Sequence, residues 1–139
     1  MTSLSKSMII RDNTFSVGVK EMDEQHQKLF GTINRLGSSM NAPANTEKVS
    51  DIIKELLDYS VYHFLAEETY FEKFNYENKE VHTKLHNYYK EKVNHFIDDF
   101  QENKYLSFEI IDFLITWWNG HVIGEDKLYT ECFHDHGIY

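Results

Sequence analysis

The sequence predicts an all-α chain, folded as an antiparallel up-down-up-down four-helix bundle with an N-terminal extended arm. Three observations predict it. A single proline, Pro43, and only six glycines in 139 residues leave long stretches free of helix breakers. Four of those stretches carry apolar residues at alternating three- and four-residue steps, the spacing that collects side chains on one helix face. The connections between them are short, which makes consecutive helices antiparallel neighbours. Residues 1–139 are expected to form one domain, with the arm over 1–19 and helices over about 20–40, 47–74, 78–101 and 107–129.

Taken in order, the arm shows no helical period; Thr14 to Val19 alternates weakly, and its apolar residues are expected to pack over the bundle. The first helix carries Met22, His26, Leu29, Ile33, Leu36 and Met40 along one seam. Asn41 to Thr46, which includes Pro43, reads as the first loop, with Thr46 as N-cap and Glu47 near the positive end of the next helix. The second seam is Val49, Ile53, Leu56, Ser60, His63, Glu67, Tyr70 and Phe74. After a break at Asn75 to Asn78 the third follows with His82, Leu85, His86, Tyr89, Val93, Phe96 and Phe100. Gln101 to Tyr105 is expected to turn. Ser107 then caps a fourth helix bearing Ile110, Ile111, Leu114, Trp117, Trp118, His121 and Leu128.

Composition removes several function classes. With 41% hydrophobic and 15% aromatic residues the chain can fill a core. A net charge of −9 without a basic patch argues against nucleic acid and anionic membranes as partners. Cys132 is the only cysteine, so neither an internal disulfide nor a thiolate metal cluster is available. Residues 1–10 hold no signal-like apolar run, and no 18-residue apolar segment occurs anywhere, so a cytoplasmic location is expected. A monomer is expected, with self-association left open.

The chemistry lies where the apolar seams run into ligand-type residues. A four-residue step nearly closes a helical turn, so His63 shares a face with Glu67, and His82 with His86. His26 lies near the start of its helix, His63 near the end of the next, His82 and His86 near the start of the third, His121 near the end of the fourth. In an antiparallel bundle these positions fall in one layer. Five imidazoles clustered without a metal would leave buried donors unpaired and repel on protonation. Five nitrogens and two carboxylates exceed the four ligands of a tetrahedral zinc and suit two metals bridged by carboxylates, a centre that bundle cores build. Imidazole ligands disfavour magnesium and calcium but leave iron, zinc, copper and nickel open. Beside Glu67, the second carboxylate is ambiguous. Glu125 stands four residues after His121 and shares its face, whereas Asp126 is about 140° round an ideal helix and needs a π-bulge or a sideways approach.

The runs Val17-Gly18-Val19, Met22-Asp23-Glu24-Gln25-His26, His63-Phe64-Leu65-Ala66-Glu67-Glu68, His82-Thr83-Lys84-Leu85-His86 and His121-Val122-Ile123-Gly124-Glu125-Asp126 together resemble the bacterial hemerythrins, a non-haem di-iron oxygen-binding family. The resemblance covers nearly the whole chain and implies Asp126 as the second carboxylate. It implies that His82, His86 and His121 hold one iron and His26 and His63 the other. Glu67 and Asp126 would bridge them together with an oxo or hydroxo group. The second iron would keep the open position for dioxygen. Two departures accompany it. Arg11 stands where the family commonly has a tryptophan, which weakens only the case for the arm's packing, and Trp118 stands in the usual leucine position by the oxygen pocket, which it could narrow or cover.

The resemblance implies an oxygen-binding protein for storage, transport or scavenging, with dioxygen as ligand and an unidentified reductant. The alternative is a di-iron redox enzyme (oxidase, peroxidase or nitric oxide reductase), and a sensor module is a third reading. No catalytic residue is assigned, because no nucleophile with a partnered base stands out. Glu68 and Glu125 are expected to be solvated or to support ligands. His95 should face away from the site, and His134 and His136 should be exposed in a polar tail. Tyr59, Tyr62 and Tyr70 read as core or interface residues, one of which could donate to a ligand.

Overall fold

The computed structural model describes residues 15–39, 46–103 and 108–139, with the side chains of residues 46–48, 101–103 and 108 outside that description. Arg11 and Thr14, Met40, the Pro43 loop, the side chains of Thr46 and Glu47, and Ser107 therefore lie outside the described residues. Four long helices form the bundle: α1 (Lys20–Ser39), α2 (Thr46–Phe74), α3 (Lys79–Asn103) and α4 (Phe108–Gly120). No strand occurs among the described residues. α1 packs chiefly on α2 and α2 on α3, while α4 closes the bundle against α1 and α3. The first three helices bury most of the seam that their spacing marks, with Tyr70, Phe74, Leu85 and Phe96 half-buried. Met22, Leu29, Ile33 and Leu36 of α1 meet Ile53, Leu56 and Phe64 of α2, Tyr89 and Val93 of α3, and Ile111, Leu114 and Trp118 of α4 in one core.

The ends of the helices are held by specific contacts. Asn75 adopts a left-handed φ of 50° after α2, and Tyr76 N–H reaches back to Phe71 O at 2.8 Å, a Schellman-type stop that turns the chain within four residues into α3. Before α1, the Asp23 carboxylate accepts from Val17 N–H at 2.8 Å and from Ser16 Oγ at 2.7 Å, which ties residues 16 and 17 to the first turn of the helix they precede. Gly18 makes this possible. Its φ is +73°, and a Cβ there would sit 3.3 Å from Thr130 Cγ2, so a side chain is opposed by both backbone and space.

The fourth seam departs from expectation. α4 gives way to one π turn (His121–Glu125), a 3₁₀ turn (Asp126–Tyr129) and a short helix α5 (Thr130–Asp135). The π turn inserts a residue into the helical frame. Leu128, expected on the seam, is consequently 53% exposed, and its neighbour Tyr129 is fully buried instead. Part of the expected polar tail is helical: within α5 Phe133 is buried and the half-buried His134 places Nε2 2.8 Å from Gly18 O, whereas His136, just past the helix, is exposed as expected, its ring stacked on Phe74 at 4.2 Å. α3 also continues through 101–103, where a turn was expected. His95 is exposed, on the side away from the histidine layer.

Candidate metal centre

The bundle carries His26, His63, Glu67, His82, His86, His121 and Asp126 into one buried layer, none of them more than 4% exposed. Their ligand-type atoms fall into two groups, each with all atoms within 4.8 Å of one another. One comprises His82, His86, His121, Glu67 and Asp126, the other His26, His63, Glu67 and Asp126. The two carboxylates belong to both groups, and they are turned accordingly. Glu67 sets Oε2 3.1 Å from His63 Nε2 and Oε1 3.2 Å from His86 Nε2. Asp126 sets Oδ2 2.9 Å from His26 Nε2, and Oδ1 2.9 Å from His82 Nε2 and 3.1 Å from His121 Nε2. Each acid thus directs one oxygen to each imidazole group.

Asp126 enters the layer because of the π turn. Its backbone N–H bonds to His121 O, the i→i+5 pattern that brings a residue five positions on over the first. Glu125, which an unbroken helix would place there, is half-buried and belongs to neither group.

Short as these contacts are, many are not aligned as hydrogen bonds. Nε2 of His82, His86 and His121, Glu67 Oε1 and both Asp126 oxygens are buried without a hydrogen-bond partner. Leaving such atoms unsatisfied costs about 1–3 kcal/mol each, more for charged groups. A cation in each group would satisfy them, so the donor set fits a pair of metal ions. Imidazole and carboxylate are the ligand types of first-row transition metals.

Electrostatics without a cation point the same way. Burial pulls the His26 pKa down, but the Asp126 and Glu67 carboxylates beside it prevail and carry it up to about 9. The same competition takes His82 up to about 10. Burial wins at His63, whose pKa is lowered. For Glu67 and Asp126, burial opposes ionisation, yet the surrounding imidazoles hold both well below the usual carboxylate range. The two acids therefore stay ionised in the core and demand positive charge, from protons or from metal.

Around the layer, buried partners fix the ligand-type residues. Tyr129 Oη donates to Glu67 Oε2 at 2.7 Å; burial first, and then the Glu67 charge, raises this phenol well above its usual range, so it remains a donor. His63 Nδ1 lies 2.6 Å from Gln25 Oε1, and His86 Nδ1 lies 2.7 Å from Glu68 Oε2. Trp118, fully buried, places its ring centroid 6.0 Å from that of His63 and 6.4 Å from that of His26. Trp117 stacks on His121 at 4.2 Å.

Of Tyr59, Tyr62 and Tyr70, read from the sequence as core or interface residues with one as a donor to a ligand, Tyr62 is 56% exposed and the other two are half-buried. Tyr70 bonds Glu21 at 2.6 Å, and Tyr59 packs on Tyr62 with ring centroids 5.3 Å apart. Tyr129 was missed because its burial depends on the π turn; the available signal was its place three residues after Asp126. Gln25 was missed as well. It adjoins His26 in sequence but serves His63 across the helix pair.

The family model for the hemerythrin HHE cation-binding domain matches residues 17–132. The chain belongs to the hemerythrin family. It is 30% identical to a bacteriohemerythrin of Clostridium acetobutylicum, over 89% of this chain and 100% of that protein. It is 34% identical to a hemerythrin-like protein of Naegleria gruberi, over 85% of this chain and 87% of that protein. A wild-type hemerythrin crystal structure superposes with a TM-score of 0.83 at 26% identity, covering 90% of this chain and 96% of that one. The matched span contains every residue of the two groups of candidate metal ligands described above, from His26 to Asp126. Among the described residues no helix is long and apolar enough to cross a membrane.

Proposed function

We propose that this chain is a di-iron hemerythrin that binds dioxygen for storage, transport or scavenging. His82, His86 and His121 would hold one iron, His26 and His63 the other, with Glu67, Asp126 and an oxo or hydroxo group as bridges. The observation that carries this reading is the turn of the two acids, each offering one oxygen to each imidazole group. When bound, a pair of iron ions supplies reversible electron exchange and a place for dioxygen.

The chain's own residues do the rest. Tyr129 holds Glu67 in its two-sided orientation through a hydrogen bond to Oε2. Gln25 and Glu68 accept from Nδ1 of His63 and His86, which leaves Nε2 of each ring as the lone-pair donor facing inward. Phe64 and Trp118, both buried, exclude water from the layer on the side of His63 and His121. The two-histidine group offers fewer protein ligands than its neighbour, so its iron would keep the open position for dioxygen, and Trp118 beside His26 would narrow the approach to it.

The test is to load the protein with iron under nitrogen, count metal per chain, and record the visible spectrum before air, after air and after evacuation. Two irons per chain and a band that appears with air and reverses under vacuum are expected. One ion per chain, or no change with air, refutes the reading. Sustained consumption of oxygen or peroxide with an added reductant transfers the assignment to a redox enzyme.

A further inference from the structure

The two halves of the centre have unlike surroundings. His86 of the three-histidine group places Nδ1 2.7 Å from the Glu68 carboxylate, a partner that accepts and never donates when ionised. His63 of the two-histidine group has the neutral amide oxygen of Gln25 at 2.6 Å. His26 Nδ1 is buried and has no partner at all. A carboxylate on the outer nitrogen makes an imidazole a more basic ligand, while a neutral amide orients the ring with less electronic effect. Ligand number runs in the same direction, since the three-histidine group has five candidate ligands against four.

Glu68 is well placed to act through charge. It follows Glu67 in sequence, so one turn of α2 supplies both the shared acid and the outer partner of His86. Its side chain is 25% exposed, so its carboxylate does not carry the desolvation cost of the buried acids. His86 is further clamped by Phe64, which stacks on it at 3.9 Å, so loss of the Glu68 charge need not release the ring.

We propose that Glu68 is a positioning residue whose negative charge, acting through His86, makes the three-histidine site the tighter of the two, so that the centre loses its metals in a fixed order, the His26/His63 ion first. This rests on the two-iron reading above, and the experiment separates the two. The iron-loaded full-length protein is challenged with excess chelator, and iron released per chain is followed in wild type, Glu68→Gln and Glu68→Ala. Wild type is expected to release two irons in a fast and a slow phase of equal size. A total other than two overturns the two-iron reading itself.

In Glu68→Gln, which keeps an oxygen acceptor but removes the charge, the slow phase is expected to accelerate roughly 10- to 100-fold while the fast phase is unchanged. Glu68→Ala should accelerate it at least as much. Mössbauer spectra of the same samples loaded with the iron isotope should show one of two signals altered and the other retained. An unchanged slow phase in Glu68→Gln overturns the proposal, as does equal acceleration of both phases, which would indicate general loosening of the fold.

Discussion

Metal uptake by this chain must displace protons, and the geometry says from where. With both acids ionised in the core, His26 and His82 carry the balancing charge, their pKa values raised to about 9 and about 10. At pH 7 both are almost fully protonated, yet each must present a lone pair to a cation. Deprotonation at pH 7 costs roughly 3 kcal/mol at His26 and roughly 4 kcal/mol at His82, taking about 1.4 kcal/mol per pH unit. Titrating the metal-free protein with zinc or ferrous ion in buffers of different ionisation heat should therefore show at least two protons released per chain at pH 7, with a further contribution from His86, where burial is again outweighed by the Glu67 and Glu68 carboxylates and the pKa is raised. Apparent affinity for the pair should climb by about two decades per pH unit towards pH 9 and level off above about pH 10. The stability of the metal-free fold should run the other way. A histidine whose pKa is raised on folding contributes fully below its unfolded value of 6.5, and that contribution is lost as pH passes about 9 for His26 and about 10 for His82. The melting temperature of metal-free protein should then fall from pH 6.5 to 10, while that of loaded protein does not. Uptake without proton release at pH 7, or affinity flat from pH 7 to 9, would refute the assignment of positive charge to these two rings.

Two further outcomes follow from single side chains. Tyr129→Phe keeps the ring that stacks on Phe133 at 4.3 Å but removes the donor to Glu67, which should cost about 1.5–3 kcal/mol and lower the melting temperature by on the order of 5–10 °C; an unchanged melt would mean that the bond contributes nothing net. Trp118→Leu opens space beside His26 and His63, so autoxidation of the iron-loaded protein should accelerate at a stability cost of roughly 1–3 kcal/mol, and identical kinetics would count against Trp118 as the barrier at the pocket.

The bundle was legible because its signal is repeated. Seams such as Met22, His26, Leu29, Ile33 and Leu36 recur at helical spacing over several turns, and every one of those five side chains is buried. The histidines were legible for the same reason: each interrupts an apolar stripe, and antiparallel packing puts the start of one helix beside the end of the next. What periodicity could not supply was any element whose frame changes. Regular spacing favoured Glu125 over Asp126, and only the motif resemblance pointed to the latter; the same regularity put Leu128 in the core in place of Tyr129.

The sequence by itself determined that four amphipathic helices would form and that imidazoles and acids would meet inside them, because periodicity and burial are properties of each helix taken alone. The tertiary structure decided what helical period cannot express: that one π turn lifts Asp126 over His121, that Tyr129 closes on Glu67 from 62 residues away, and that Gln25 reaches His63 from the neighbouring helix. Those are contacts between elements, and their existence depends on how the helices settle against one another.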